Sequence, residues 1–155
     1  MKFLANGMLG NISRWLRLLG YDVEYAPVKD DTELIRRSMV EERILLTADV
    51  ELFRLAKRRG VKAILVKETS TVQSLSRLSK KLKLPLIFNQ RQSRCPTCGS
   101  ILTRVAKDSV EGKIPKRTYQ TYNRFWICTS SSCSKVYWRG SHWRKIKETL
   151  EKARE

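Results

Sequence analysis

Four cysteines constrain this chain more than any other feature. Cys95 and Cys98 form a C-x2-C pair, and Cys128 and Cys133 form a C-x4-C pair, with 29 residues between the pairs. Two closely spaced thiolate pairs can supply the four sulfurs of a tetrahedral Zn–S4 site. Gly99 follows the second cysteine, where the backbone must wrap beneath a metal, and the flanking strand-like segments suggest a zinc ribbon. The spacing favours zinc over four unligated thiols or two reducible disulfides. Four thiolates close the coordination sphere, so this Zn²⁺ is expected to be structural. A segment of about 65 residues with few aliphatic side chains needs such a staple.

Charge narrows the partner. The 155 residues carry 32 Lys and Arg against 15 Asp and Glu, a net charge of +17. Such an excess points to a polyanion, most simply a nucleic acid. No apolar run approaches the ~20 residues needed to span a bilayer. The N-terminus turns polar at Asn6, too soon for a signal peptide. A cytoplasmic location is expected, with no membrane partner. The chain has one histidine, His142, so catalysis by a histidine pair is excluded. No nucleophile-elbow motif accompanies it, and any hydrolysis is expected to rely on carboxylates, metal ions or both.

Composition changes near residue 90. Residues 1–90 carry a net charge of +7 and residues 91–155 a net charge of +10; all the cysteines and three of the four tryptophans lie in the second segment. The boundary is placed at 89–94. Residues 1–90 alternate short strand-like segments (2–5, 23–26, 44–47, 63–66) with helical stretches (8–19, 32–42, 50–59, 72–82). Met8, Leu9, Ile12, Trp15, Leu16 and Leu19 share one helical face, Arg14 and Arg17 fall off it, and Gly20 stops the helix. Strands alternating with helices predict an α/β fold with a mostly parallel sheet and flanking helices. Residues 91–155 predict a small β-rich zinc ribbon: a strand at 101–105, a polar loop at 106–117, β-formers from Tyr119 to Cys128 and a strand at 135–138. A C-terminal helix follows, with Trp143, Ile146, Leu150 and Ala153 as its apolar stripe.

Right-handed crossovers bring the C-terminal ends of parallel strands to one edge, where ligands bind. Asn6 ends the first strand. Asp30, Asp31 and Glu33 follow the second, and Asp49 and Glu51 follow the third. Carboxylates gathered there can hold Mg²⁺ or Mn²⁺, which prefer oxygen ligands. Capping explains each residue singly. Asp30 and Glu33 fit a capping box, Asp49 can cap the helix beginning at Val50, and Asn6 can start the first helix. Both readings stand at this level.

Longer motifs add a resemblance. The segments Phe3-Leu4-Ala5-Asn6-Gly7-Met8-Leu9-Gly10, 14–22 (RWLRLLGYD), 46–49 (LTAD), 94–98 (RCPTC) and 137–142 (YWRGSH) run through nearly the whole chain in order. Together they resemble the Mut-seven C-terminal RNase family. The resemblance implies a PIN-like nuclease domain at 1–90 and an RNA-binding zinc ribbon with a C-terminal helix at 91–155. It further implies metal-dependent hydrolysis of RNA phosphodiester bonds, with Asn6, Asp31, Glu33 and Asp49 as the catalytic positions and Mg²⁺ or Mn²⁺ as cofactor. One position departs from the family pattern: Asn6 stands where the family has aspartate. An amide removes a negative charge from a cation site, so weaker metal binding and much reduced cleavage are expected. The change reads either as an engineered or recent one in an active parent or as a natural loss of activity.

The RNA itself, single-stranded or structured, with tRNA and ribosomal RNA as candidates, needs a phosphate track. Arg14 and Arg17 are expected on the exposed side of the first helix. In the second segment Lys116, Arg117, Arg139, His142 and Arg144 interleave with aromatic residues that can stack on unpaired bases. The rival is a non-catalytic zinc-ribbon RNA-binding or adaptor protein using the same surface. A DNA-reading role lacks a helix-turn-helix or similar motif.

Overall fold

A computed structural model describes residues 1–155 except Val28. Four parallel strands, β1 (Lys2–Asn6), β2 (Asp22–Ala26), β3 (Ile44–Thr47) and β4 (Ala63–Leu65), form a sheet in the order β2-β1-β3-β4. Helices α1 (Gly10–Leu18), α2 (Asp31–Val40) and α3 (Val50–Arg58) make the crossovers, and α4 (Thr71–Leu82) follows the last strand. The interior strand β3 is buried on both faces and reads as a continuous apolar run, whereas β2 at the edge mixes buried and half-buried residues.

Alternation along the strands sorts the helices. Phe3, Ala5, Ile44, Leu46 and Ile64 point to one face and pack with Ile12 and Leu16 of α1 and Leu75 and Leu78 of α4. Leu4, Leu45 and Ala63 point to the other and pack with Leu34 and Ile35 of α2 and Leu52 and Ala56 of α3. The result is a three-layer α/β/α unit. Gly20 takes φ +93° immediately after α1, as its position in the sequence suggested. The first helix starts later than its periodicity implied: α1 begins at Gly10, and Met8 is 93% exposed rather than part of the apolar face.

The second segment forms an antiparallel sheet in the order β5-β6-β7, from β5 (Leu102–Val105), β6 (Phe125–Cys128) and β7 (Val136–Tyr137). Between β5 and β6 lie a 3₁₀ turn (Lys107–Val110) and a short helix, α5 (Lys116–Thr121). The loop expected at 106–117 is therefore partly ordered, and Tyr119 to Thr121 are helical rather than extended. Pro115 sets φ at −56° at the start of that helix, which suits a helix entry better than a strand. Phe125 and Val110 are fully buried in this unit.

The last helix, α6 (His142–Arg154), leaves the small sheet and packs along α4. Leu150 and Ala153 are buried in the same cluster as Leu75 and Leu78, with Ile146 packed against it. The C-terminal helix thus completes the core of the first sheet. Among the described residues no helix is long and apolar enough to cross a membrane.

Candidate metal centre and acidic edge

The four cysteines converge from two loops. Cys95 and Cys98 lie on the turn entering β5, whereas Cys128 ends β6 and Cys133 lies on the turn leading to β7. Their sulfurs all lie within 4.8 Å of one another. Cys95 Sγ is 3.8 Å from Cys133 Sγ, and Cys98 Sγ is 3.4 Å from Cys128 Sγ. Sulfurs bound tetrahedrally at ~2.3 Å to one zinc lie about 3.8 Å apart, whereas a disulfide needs ~2.05 Å. The donor set therefore fits a soft or borderline divalent metal and could hold an ion such as zinc. Burial presses on these thiols, yet hydrogen bonds from Ser100 bring Cys98 down to about 6. Burial pushes Cys128 up to about 12. Four crowded thiols cannot all ionise without a cation between them, and a divalent metal supplies that cation.

Outer contacts hold the cluster in place. The Tyr137 hydroxyl lies 3.1 Å from Cys95 Sγ and 3.3 Å from Thr97 Oγ1, so it can donate to the sulfur once that is a thiolate. Gly99 takes φ +84°, and a Cβ there would lie 3.0 Å from Arg17 Nε and 3.1 Å from the Val23 carbonyl. The backbone of the first cysteine turn thus sits directly on α1 and β2.

Arg17 makes that junction, and its placement corrects the exposed position read from helical periodicity. The side chain is buried, at 6% exposure. Nε donates to the Val23 carbonyl at 3.0 Å, and Nη1 donates to the carbonyls of Pro96 at 3.2 Å and Thr97 at 3.1 Å. Burial lowers its pKa from the ordinary arginine value, and the Cys98 and Cys95 sulfurs oppose that shift. These partners make Arg17 a bridge between the two sheets rather than a phosphate contact. Arg14, Lys116, Arg117, Arg139, His142 and Arg144 are all exposed. Arg139 lies over the Trp143 ring, 4.2 Å from its centroid, and Phe88 meets the same ring edge-on at 4.6 Å. Phe88 did not stand out in the sequence, and Tyr137 did so only as part of a strand and of the 137–142 motif, not as a neighbour of the cysteines. Their aromatic character was visible, but their partners lie far along the chain.

At the opposite edge, β1 ends at Asn6, paired in register with Ala26 of β2. Asn6 closes the strand and does not start the helix, which begins four residues later at Gly10. The N-termini of α2 and α3 rise from the same edge, since both helices follow strands parallel to β1. Asp30 caps α2 by accepting from the Glu33 amide at 2.9 Å. Asp49 caps α3 by accepting from the amides of Glu51 at 2.9 Å and Leu52 at 3.2 Å. Glu33 turns outward, and both its oxygens accept from Arg36 at 2.8 Å. The Arg36 hydrogen bond, opposed by some desolvation, holds Glu33 below the ordinary carboxylate range. Asp31 opens α2 and is exposed. The structure thus realises the capping reading for Asp30 and Asp49. Among the described residues, the cysteines are the one group of three or more Cys, His, Asp or Glu placed closely enough to share a metal.

A parallel α/β sheet with acidic helix N-termini at its C-terminal edge, bolted through a buried arginine to a four-cysteine knuckle, defines an α/β protein with a cysteine cluster that could hold a metal ion. The chain belongs to the Mut7-C RNAse domain family, whose model matches residues 1–150. Membership places it among nuclease-type domains and implies RNA as substrate or partner. No curated protein and no solved structure matches the chain.

Proposed function

We propose that the chain is a divalent-metal-dependent ribonuclease of PIN-like organisation, with its chemistry at the C-terminal edge of the parallel sheet and Zn²⁺ at the four cysteines. One observation carries this reading. Asn6 ends β1, an interior strand flanked by β2 and β3, while Asp31 and Asp49 stand at the N-termini of the helices that follow those two strands. Open α/β sheets bind ligands at such an edge. Each carboxylate has oxygen donors suited to a hard cation, and Asp31 is exposed to solvent.

The reaction is hydrolysis at phosphorus: a water oxygen forms the new P–O bond, the bond to the leaving ribose oxygen breaks, and that oxygen takes up a proton. Asp31, Glu33 and Asp49 do not meet closely enough to share an ion as they stand; drawn together at this edge beside Asn6, they would hold Mg²⁺ or Mn²⁺, which would stabilise charge on the phosphoryl oxygens and lower the pKa of water. Asp31 and Asp49 contribute negative charge, and Asn6 contributes a neutral carbonyl where aspartate would contribute a further charge. Cleavage by this chain is accordingly expected to be weak. Exposed cations of α1, α5 and α6 supply the phosphate track.

The test compares the chain with Asn6→Asp on a labelled structured RNA, with Mn²⁺, with Mg²⁺ and with chelator. Cleavage by Asn6→Asp that needs the metal and disappears on adding Asp49→Ala supports the reading. Cleavage that survives Asp49→Ala in highly purified protein overturns it. A second reading, a non-catalytic RNA-binding or adaptor protein, draws on the caps and the Glu33–Arg36 pair that already engage these acids. Binding by both chains without cleavage by either favours it.

A further inference from the structure

A cleft of about 1110 Å³ opens where the two sheets meet, between α1, α5, the segment around Phe88 and the start of α6. It is distinct in composition from the acidic edge: among the described residues no carboxylate lines it. Its floor is aromatic, with Phe88, Tyr122, Trp138 and Trp143; its cations are Arg14, Arg117 and Arg139, and His142 lies beside them. We propose that this cleft seats the unpaired base of a single-stranded RNA segment, with the arginines on its flanking phosphates. The proposal rests on the reading of the chain as a protein that acts on RNA, and adds which form of RNA it grips and where.

Three observations favour a base over other occupants. Trp138 is only partly buried, and its indole lies against the backbone of Gly140, where a Cβ would sit 3.0 Å from Nε1. Trp138 therefore stands at the cleft with its pyrrole edge against Gly140 and part of its ring open to solvent. Arg139 is exposed, lines the cleft and is held over Trp143 at 4.2 Å, which adds a guanidinium plane on which a base can stack. Arginines without a facing acid complement phosphate, and the whole chain carries +17. A base within a duplex already has its faces covered by neighbours, so a concave aromatic wall selects an unpaired one. Every base has such a face, so little sequence preference is expected.

The experiment uses the full-length chain loaded with zinc and chelator-free buffer lacking Mg²⁺ and Mn²⁺, so that binding is read without cleavage. Fluorescence anisotropy compares a short single-stranded RNA, the same strand in a duplex, and the same strand carrying abasic sites. Single strands should bind about ten-fold more tightly than duplex, and abasic sites or Trp138→Leu should each cost roughly ten-fold. Trp138→Leu should show no further loss on abasic strands. Arg139→Ala, at an exposed position, should weaken binding with zinc stoichiometry and helix content intact. Equal affinity for single strand and duplex overturns the proposal, as does unchanged affinity in both variants at full zinc content. An acidic poly-glutamate peptide that binds in a Trp138-dependent way while RNA does not assigns the cleft to an acidic protein partner and also overturns it. Failure of the ribonuclease reading shows instead as absent cleavage by Asn6→Asp, which these binding measurements do not touch.

Discussion

Arg17 Nη1 lies 3.1 Å from the carbonyl oxygen of Thr97, a bond that joins the first helix to the first cysteine turn across 80 residues of sequence. The same nitrogen reaches the Pro96 carbonyl, and Nε reaches Val23. Removing the side chain leaves three carbonyls without this donor, a buried one at Val23 and two on the part-buried cysteine turn. Arg17→Met should lower unfolding free energy by ~2–4 kcal/mol and speed metal loss to a chelator. Denaturant melts and release kinetics read both. An unchanged stability, together with one fewer phosphate in the salt dependence of RNA binding, would instead return Arg17 to the RNA-contact role.

Gly99 meets the same junction from the other side. Alanine there needs φ +84° and a Cβ 3.0 Å from Arg17 Nε. Gly99→Ala should cost about 1–3 kcal/mol and displace Arg17 from the Val23 carbonyl. A variant as stable as the parent would show that the two sheets can slide apart without penalty.

The Tyr137 hydroxyl lies beside Cys95 and would support that sulfur as a ligand of the proposed zinc without being a ligand itself. Tyr137→Phe should weaken zinc binding by about 10-fold or more in a competitive chelator titration, while Cys98→Ser should drop stoichiometry below one per chain. Full stoichiometry in Cys98→Ser would exclude the four-cysteine site.

Acid sensitivity has a definite sign. Glu41 accepts from Arg43 and Arg37, and these two guanidinium groups hold its carboxyl below the ordinary range. Its folded-state pKa lies below the unfolded value of about 4.3, so the pairing stabilises the fold above that pH. The contribution is lost as pH falls through the lower folded value. Glu41→Gln should therefore flatten the acid limb of the stability curve below about pH 4.5. Denaturation midpoints with parallel pH profiles for parent and variant would remove this linkage.

Leu150 of α6 is buried against the first sheet's core. Leu150→Ala should cost ~2–5 kcal/mol. A fragment ending at residue 90 should bind a hydrophobic dye and melt without a sharp transition, because α1 and α4 then lack their cover. A sharp, reversible melt of that fragment would show the cover to be dispensable.

Much of this was legible from local pattern. Strands β1, β3 and β4 are centred on short apolar runs, and the helices between them carry an apolar stripe, so pattern locates them. The cysteine spacing pointed to a shared cluster, and the four sulfurs do converge to where they could hold one ion. Arg17 was misplaced because periodicity identifies only the face turned to the first sheet. The first cysteine turn covers Arg17 from the other side of α1, and that information lies at Pro96 and Thr97. Residues 119–121 read as extended because Tyr and Thr favour strands, a preference that neighbouring structure overrides. The acidic edge was visible as a list of residues. Whether an acid caps a helix or faces a ligand depends on where each oxygen points, which Asp30 and Asp49 settle only as caps.

The return of α6 to α4 also orders events in time. Helix α4 ends at Leu82 and α6 begins at His142. At ~5–20 residues per second, a ribosome needs on the order of 3–12 s to cover that gap. For that interval the apolar sides of α1 and α4 stand open on a nascent chain that cannot yet close them. The cysteine knuckle emerges within the same interval, ahead of the helix. Metal capture during translation would therefore shorten the effective tether between α4 and its cover, and a zinc-starved cell should accumulate this protein as a chaperone client rather than as a folded but metal-free molecule.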